Sequence, residues 1–422
     1  MTQHSNRTVG NYPLHTSLIM KKYIRLLSFF FSMMVTFASC IEEFNIPLAL
    51  QEEAGIVING NLFMNAESVI YVNKPQAIGS KRKLESIADA EVYIISQDGT
   101  ESNKAIYDKE NERYIAAATE LNPEQSYAVK VIANGETYQS EFLQILQTPE
   151  ITDLNYKEQE DGVSVHISTE GSDDASRYYM WSYEEDWEFH AEIDIAKFVK
   201  GEIVYQPSSY SQIKGTFNPY YYCWRNNHSS QIFLYDTSVL GNNRITDHEL
   251  YRISIDDQRI SYIYSVLIKQ WSIDAKTYEY YQTIEKQSEN AGGLFSPMPM
   301  EIKGNVTCTS NSSKRTYGYV IASNVTTKRL FIYASDFQRL AAQYTTCDYY
   351  VTAEEAAKKD PTGRWKDEWR REVRYGGAVI LTGNTTGDIT EASVLYIKQC
   401  VDCRTKNGAS KQRPDFWPNN HE

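Results

Sequence analysis

The chain reads as mainly β: an N-terminal Ig/fibronectin/transthyretin-like β-sandwich followed by a larger mostly β domain with inserted helices. Three observations carry this reading. Short runs rich in β-branched and aromatic residues recur from Gly55 onward with turn residues between them. Helical patterning is confined to a few segments after residue 270. The 32 Tyr, 15 Phe and 7 Trp supply rings with an apolar body and a polar tip, which suit sheet faces.

The first segment stands apart from that body. Met20-Lys21-Lys22-Tyr23-Ile24-Arg25, then Leu26 to Phe37, then Ala38-Ser39-Cys40 have the basic, apolar and small-residue regions of a secretory signal. The apolar stretch, about a dozen residues, falls short of the roughly 20 that a bilayer-spanning helix needs. Phe37-Ala38-Ser39-Cys40 resembles a lipobox, with Phe37 where Leu is usual, so Cys40 is the expected lipidation site and first mature residue. Several acyl chains make such attachment effectively stable, whereas one gives marginal anchoring. Residues 1–19 precede what reads as a natural start at Met20. Residues 1–39 are thus an over-extended N-terminus plus signal peptide, and 40–54 a lipidated tether. Glu42 and Glu43 resemble an export signal for surface lipoproteins, although an ordinary solvated tether has the same composition.

Loss of the leader removes Arg7, Lys21, Lys22 and Arg25 and no acidic residue. Net charge therefore moves from −13 to −17 over the 383 residues that remain. So acidic a surface argues against nucleic acid or anionic lipid headgroups as partners, since both are bound through basic patches.

Residues 55–149 form the expected sandwich. Gly55 to Ile58, Ser68 to Val72, Glu91 to Ile95, Tyr127 to Ile132 and Thr137 to Phe142 read as strands, and Asp98-Gly99 and Asn134-Gly135 supply hairpin turns that accept positive φ. Thr148-Pro149-Glu150 reads as a hinge, because Pro149 holds its predecessor extended. Residues 150–422 form the larger domain. Its strands include Val163 to Ile167, Tyr178 to Tyr183 and Arg259 to Ile268, and Tyr317 to Ser323 is expected to pair with Lys328 to Tyr333. Ser272-Ile273-Asp274 caps a helix to about Asn290 with Tyr280, Tyr281 and Ile284 on one face. Thr352-Ala353-Glu354-Glu355 is a capping box for a helix that Asp360-Pro361 ends, and Trp365 to Arg374 reads as an exposed charged helix or loop.

Beyond Cys40 there are five cysteines, Cys223, Cys308, Cys347, Cys400 and Cys403, which an oxidising export route would pair. Long loops restrict the unfolded chain most, which favours Cys223 with Cys308 and Cys347 with either Cys400 or Cys403. Cys400-Val401-Asp402-Cys403 is formally a C-x-x-C. It lacks the α/β junction of a redox site and the second ligand pair of a zinc site, so a structural disulfide or vicinal bridge is the plainer expectation.

No established catalytic motif is present: no H-E-x-x-H, G-x-S-x-G, phosphate loop or dinucleotide fingerprint. His190, Glu192 and Asp194 would share one face of a strand and are the sharpest metal candidates, yet alternation with Ala191 and Ile193 is also the ordinary half-buried pattern. Glu184, Glu185, Asp186 and Glu188 could imitate a glycosidase carboxylate pair. Only His166, His190, His228, His248 and His421 follow Cys40, which leaves little material for acid and base work near neutrality. No catalytic residue, metal or cofactor is expected.

Tyr222-Cys223-Trp224-Arg225, Tyr264 to Gln270, Tyr278-Glu279-Tyr280-Tyr281, Gly293 to Pro297, Gly304-Asn305-Val306, Gly318 to Ser323 and Arg413-Pro414-Asp415-Phe416-Trp417-Pro418, taken in order, resemble the Bacteroidota lipoprotein family called domain of unknown function 4249, over nearly the whole chain after Cys40. The resemblance implies a lipid-anchored outer-membrane protein facing the cell exterior. It also implies a TonB-dependent outer-membrane receptor as partner, with a non-enzymatic accessory or substrate-capture role in nutrient uptake. It transfers no catalytic or ligand-contacting residue. Two other readings stand beside it, a surface hydrolase of glycan or peptide using the Glu184 to Asp194 carboxylates, and a structural or adhesion module. The sequence assigns no ligand, small molecule or oligomer.

Overall fold

Alternating burial along β1 (Ala54–Phe63) puts Ile56, Ile58 and Leu62 into a core and makes the first strand legible. The computed structural model describes residues 54–75, 84–100, 102–117, 121–192, 198–200, 203–205, 221–229, 231–290, 302–337, 350–375, 378–381, 389, 393–410 and 412–418. Cys40, Glu42, Glu43, Asp194, Cys347 and the Gly293 to Pro297 string lie outside these residues.

Along the first sandwich follow β2 (Ser68–Asn73), β3 (Glu91–Ser96), β4 (Ser102–Lys104), β5 (Ile106–Asp108), β6 (Arg113–Ala116), β7 (Ser126–Ala133), β8 (Glu136–Ser140) and β9 (Leu143–Gln144). One sheet contains the order β1-β2-β6-β5 and the other β8-β7-β3-β4. Ile58, Ile70, Val92, Tyr114, Tyr127 and Val131 fill the space between them. The β7–β8 hairpin turns on Asn134 and Gly135 at φ 52° and 77°, the left-handed pair its sequence called for.

The larger region begins with β10 (Ile151–Gln159), β11 (Gly162–Glu170), β12 (Tyr178–His190), β13 (Phe198–Lys200), β14 (Ile203–Tyr205), β15 (Tyr222–His228), β16 (Phe233–Asp236), β17 (Arg244–Ser254) and β18 (Ile263–Ile273). Helix α1 (Ala275–Asn290) starts where Asp274 Oδ1 accepts the Thr277 N–H at 2.8 Å. Tyr280 and Tyr281 pack on Tyr319, with ring centroids at 4.4 and 6.2 Å, whereas Ile284 is exposed, so the buried face is narrower than its sequence pattern.

The chain then goes back to the first sandwich. β19 (Val306–Cys308) pairs with β8, while β20 (Arg315–Tyr317) and β21 (Val320–Ser323) run parallel beside β1. The sandwich is therefore not confined to 55–149: three strands from within 150–422 complete its sheets. β22 (Thr326–Tyr333) pairs with β18 in a different sheet, so the expected pairing of 317–323 with 328–333 does not form. Asn305 pins this return at both backbone groups of one residue: its amide donates to Val320 O at 2.7 Å and its Oδ1 accepts the Val320 N–H at 2.8 Å. Gly318 sits at φ 98°, where an added Cβ would lie 2.1 Å from Ile58 O, so only glycine allows the approach.

The same return ties down the junction read as a hinge. Thr148 Oγ1 donates to Asn324 O at 2.7 Å and accepts the Ser272 N–H at 2.8 Å, and Pro149 O accepts from Gln270 Nε2 at 2.8 Å and from Thr326 Oγ1 at 3.0 Å. Pro149 keeps the strand extended; its neighbours remove the freedom to swing.

A second sandwich packs β10-β11-β17 against β15-β12-β18-β22, with β16 continuing the β15 edge of β12. Val163, Val165 and Ile167 meet Tyr179, Trp181, Tyr264 and Val266 between the sheets. A smaller sheet, β14-β13-β24-β25-β23, uses β23 (Tyr350–Thr352), β24 (Ala378–Leu381) and β25 (Val394–Ile397). Between β23 and β24 lie α2 (Ala353–Lys359), opened by the expected Thr352/Glu355 capping box, and α3 (Trp365–Arg374). Helix α3 is exposed on its charged face only, since Trp365, Trp369 and Val373 are buried against Ile380. Among the described residues no helix is long and apolar enough to cross a membrane.

His248 is half-buried beside Trp181 and Tyr235, ring centroids 6.1 and 4.6 Å away. Burial holds its imidazole pKa below the usual 6.5. As pH falls below 6.5 the unfolded chain takes up this proton first, so the stability present above that pH is lost on the way down to the folded pKa. The denaturation midpoint of the protein is expected to drop between pH 7.5 and 5.5, and His248→Gln to flatten that drop. Equal slopes for both proteins would remove His248 as the cause.

Candidate functional site

The pleat of β12 sorts its acidic run onto two faces. Glu185 points inward between the sheets and is 1% exposed. Arg259, on the turn before β18, grips it with two N–H···O contacts at 2.7 and 2.9 Å. Tyr264 O–H and Asn227 Nδ2 each donate to it at 2.8 Å, and Tyr264 O–H lies 3.0 Å from Tyr251 O–H on β17. Burial opposes the Arg259 charge, but hydrogen bonds to Asp257 and the field of Glu185 outweigh it and raise its pKa. Burial and the Tyr251 hydroxyl raise Tyr264 well above 10, keeping it a proton donor.

The outward face carries Glu184, Asp186, Glu188 and His190. Glu184 is paired with Lys269 on the neighbouring strand, and although burial opposes ionisation, that ammonium lowers its pKa. Asp186 shifts the other way. Burial raises its pKa more than Arg329, at 3.2 Å, lowers it. Glu188, 1% exposed, meets His190 Nε2 at 2.6 Å and accepts the Trp417 indole N–H at 3.1 Å. His190 is surrounded by Tyr262, Tyr221 and Tyr222, ring centroids 3.4 to 4.7 Å away.

The carboxylates read from the sequence thus split. Glu185 and Glu188, the two most buried, project to opposite faces and cannot flank one substrate bond. Glu184 and Asp186 share a face and titrate in opposite directions, as an acid and base pair would, but each is committed to its own cation. Of the metal triplet, Asp194 lies outside the described residues; β12 ends at His190, and Glu192 Oε1 is engaged by Lys406 at 2.9 Å. Among the described residues no group of three His, Cys, Asp or Glu side chains could hold a metal ion.

Sequence reading missed a serine, histidine and aspartate in contact on the outer face of β11 and β17. Ser164 Oγ lies 2.8 Å from His166 Nε2, while His166 Nδ1 lies 3.0 Å from the Asp247 carbonyl and 3.3 Å from its carboxylate. Ser164 is fully buried on a central strand, with Gln159 Nε2 donating to the same oxygen at 3.1 Å, so no nucleophile is presented. It missed Arg259 and Arg329 as well, whose only local signal was an arginine near each end of a β-branched run.

The cysteines correct one expectation. Cys223 on β15 pairs with Cys403, 180 residues away, and not with Cys308. Cys308 is a buried free thiol in the first sandwich, because β19 belongs to that sheet. Pairing of Cys403 with Cys223 rules out a vicinal Cys400–Cys403 bridge, and Cys400 is itself disulfide-bonded.

Comparison with known proteins adds a family and little else. No curated protein matches the chain. Among solved structures, a two-domain fibronectin type-III segment of chicken tenascin is similar at 10% identity, over 52% of this chain and 90% of that one, with a TM-score of 0.14. The family match spans residues 41–329, so it begins one residue after Cys40, and the Arg413–Pro418 string lies beyond its end. Over that span the chain belongs to the family described as a domain of unknown function, DUF4249.

Proposed function

We propose that this protein is a Bacteroidota lipoprotein, anchored through Cys40 and exposed on the outer membrane, that serves a TonB-dependent receptor as a non-enzymatic accessory or substrate-capture partner. The observation that carries this reading is the coincidence at Cys40. A basic, apolar, small-residue run ends at that thiol, and the family match starts immediately behind it. Two β-sandwiches tied together at Thr148 suit a body that presents surfaces. The acidic run of β12 is satisfied by Arg259, Lys269, Arg329 and Trp417, which suits binding and structure better than proton transfer.

One observation favours a hydrolase as the second reading, the opposed titration of Glu184 and Asp186 on one face. Their separate ion pairs count against it. Pull-down of the tagged native protein from mild-detergent extracts of membranes distinguishes the two. A receptor barrel should copurify; recovery of the protein alone, with hydrolysis of cell-surface glycan by the purified material, would favour the hydrolase.

A further inference from the structure

We draw no further inference here: the strongest candidate, the apolar outer face of the first sandwich that Val69, Tyr71, Ile106 and Ile115 present on β2, β5 and β6, carries none because nothing in the structure shows what covers it.

Discussion

Glu185→Ala is expected to lose roughly 3 to 5 kcal/mol of stability, the range for removing one partner of a buried ion pair. The substitution strips Arg259 of a two-pronged contact and leaves Tyr264 and Asn227 donating into a void. Against a total stability of about 5 to 15 kcal/mol for a typical domain, a loss of that size is severe. Glu185→Gln keeps an acceptor for Tyr264 and should cost less. Pairing Glu185→Leu with Arg259→Met should recover much of the loss, because the charge with no partner is then gone too. Chemical denaturation of the four proteins measures this ordering. A single Ala variant as stable as the parent would mean the pair is solvated, against the 1% exposure of Glu185.

Cys223→Ser should be the second large loss. The bond joins residues 180 apart, and the loop-entropy description puts so long a closure at about 5 kcal/mol, with 2 to 4 kcal/mol the usual measured range. Both sulfurs are fully buried beside Phe189 and Ala191, so the vacated site also loses packing. Cys403→Ser should cost the same, and the double variant no more than either alone. Cys308→Ala, by contrast, removes only a small buried side chain from the first sandwich and should be mild. Peptide mapping without reduction gives the independent check: a 223–403 cross-link is expected, with Cys308 alkylated only after unfolding. A Cys223–Cys308 cross-link would contradict the strand pairing of β19 with β8.

What was legible in the sequence is what local chemistry decides. Asn134-Gly135 admits few alternatives to a primed hairpin, and Asp274 and Thr352 each offer a side-chain acceptor to orphan helix N–H groups where α1 and α2 begin. The mainly β class followed from the same alternation that buries Ile56, Ile58 and Leu62. What was not legible is non-local. β19, β20 and β21 are three or four residues long, too short for their alternation to name a partner, and they pair with strands about 170 to 260 positions earlier, by the registers of the two sheets they join. The expected Cys223–Cys308 bond failed for the same reason, since loop length ranks the entropy of a bond while sheet membership decides which thiols meet. The β12 run shows the limit for sites: the sequence pattern ends its strand at Tyr183 and marks the acids only as a cluster, while the strand runs on to His190 and the cations that neutralise them come from the β18 turn, β18 and β22.

Intact-mass and N-terminal analysis of the protein extracted from native membranes is the most direct test of the lipid anchor. A chain beginning at Cys40 and carrying a diacylglyceryl group on its sulfur is the expected result. A mature protein with an unmodified Cys40, or one that retains the Met20 leader uncut, would contradict it.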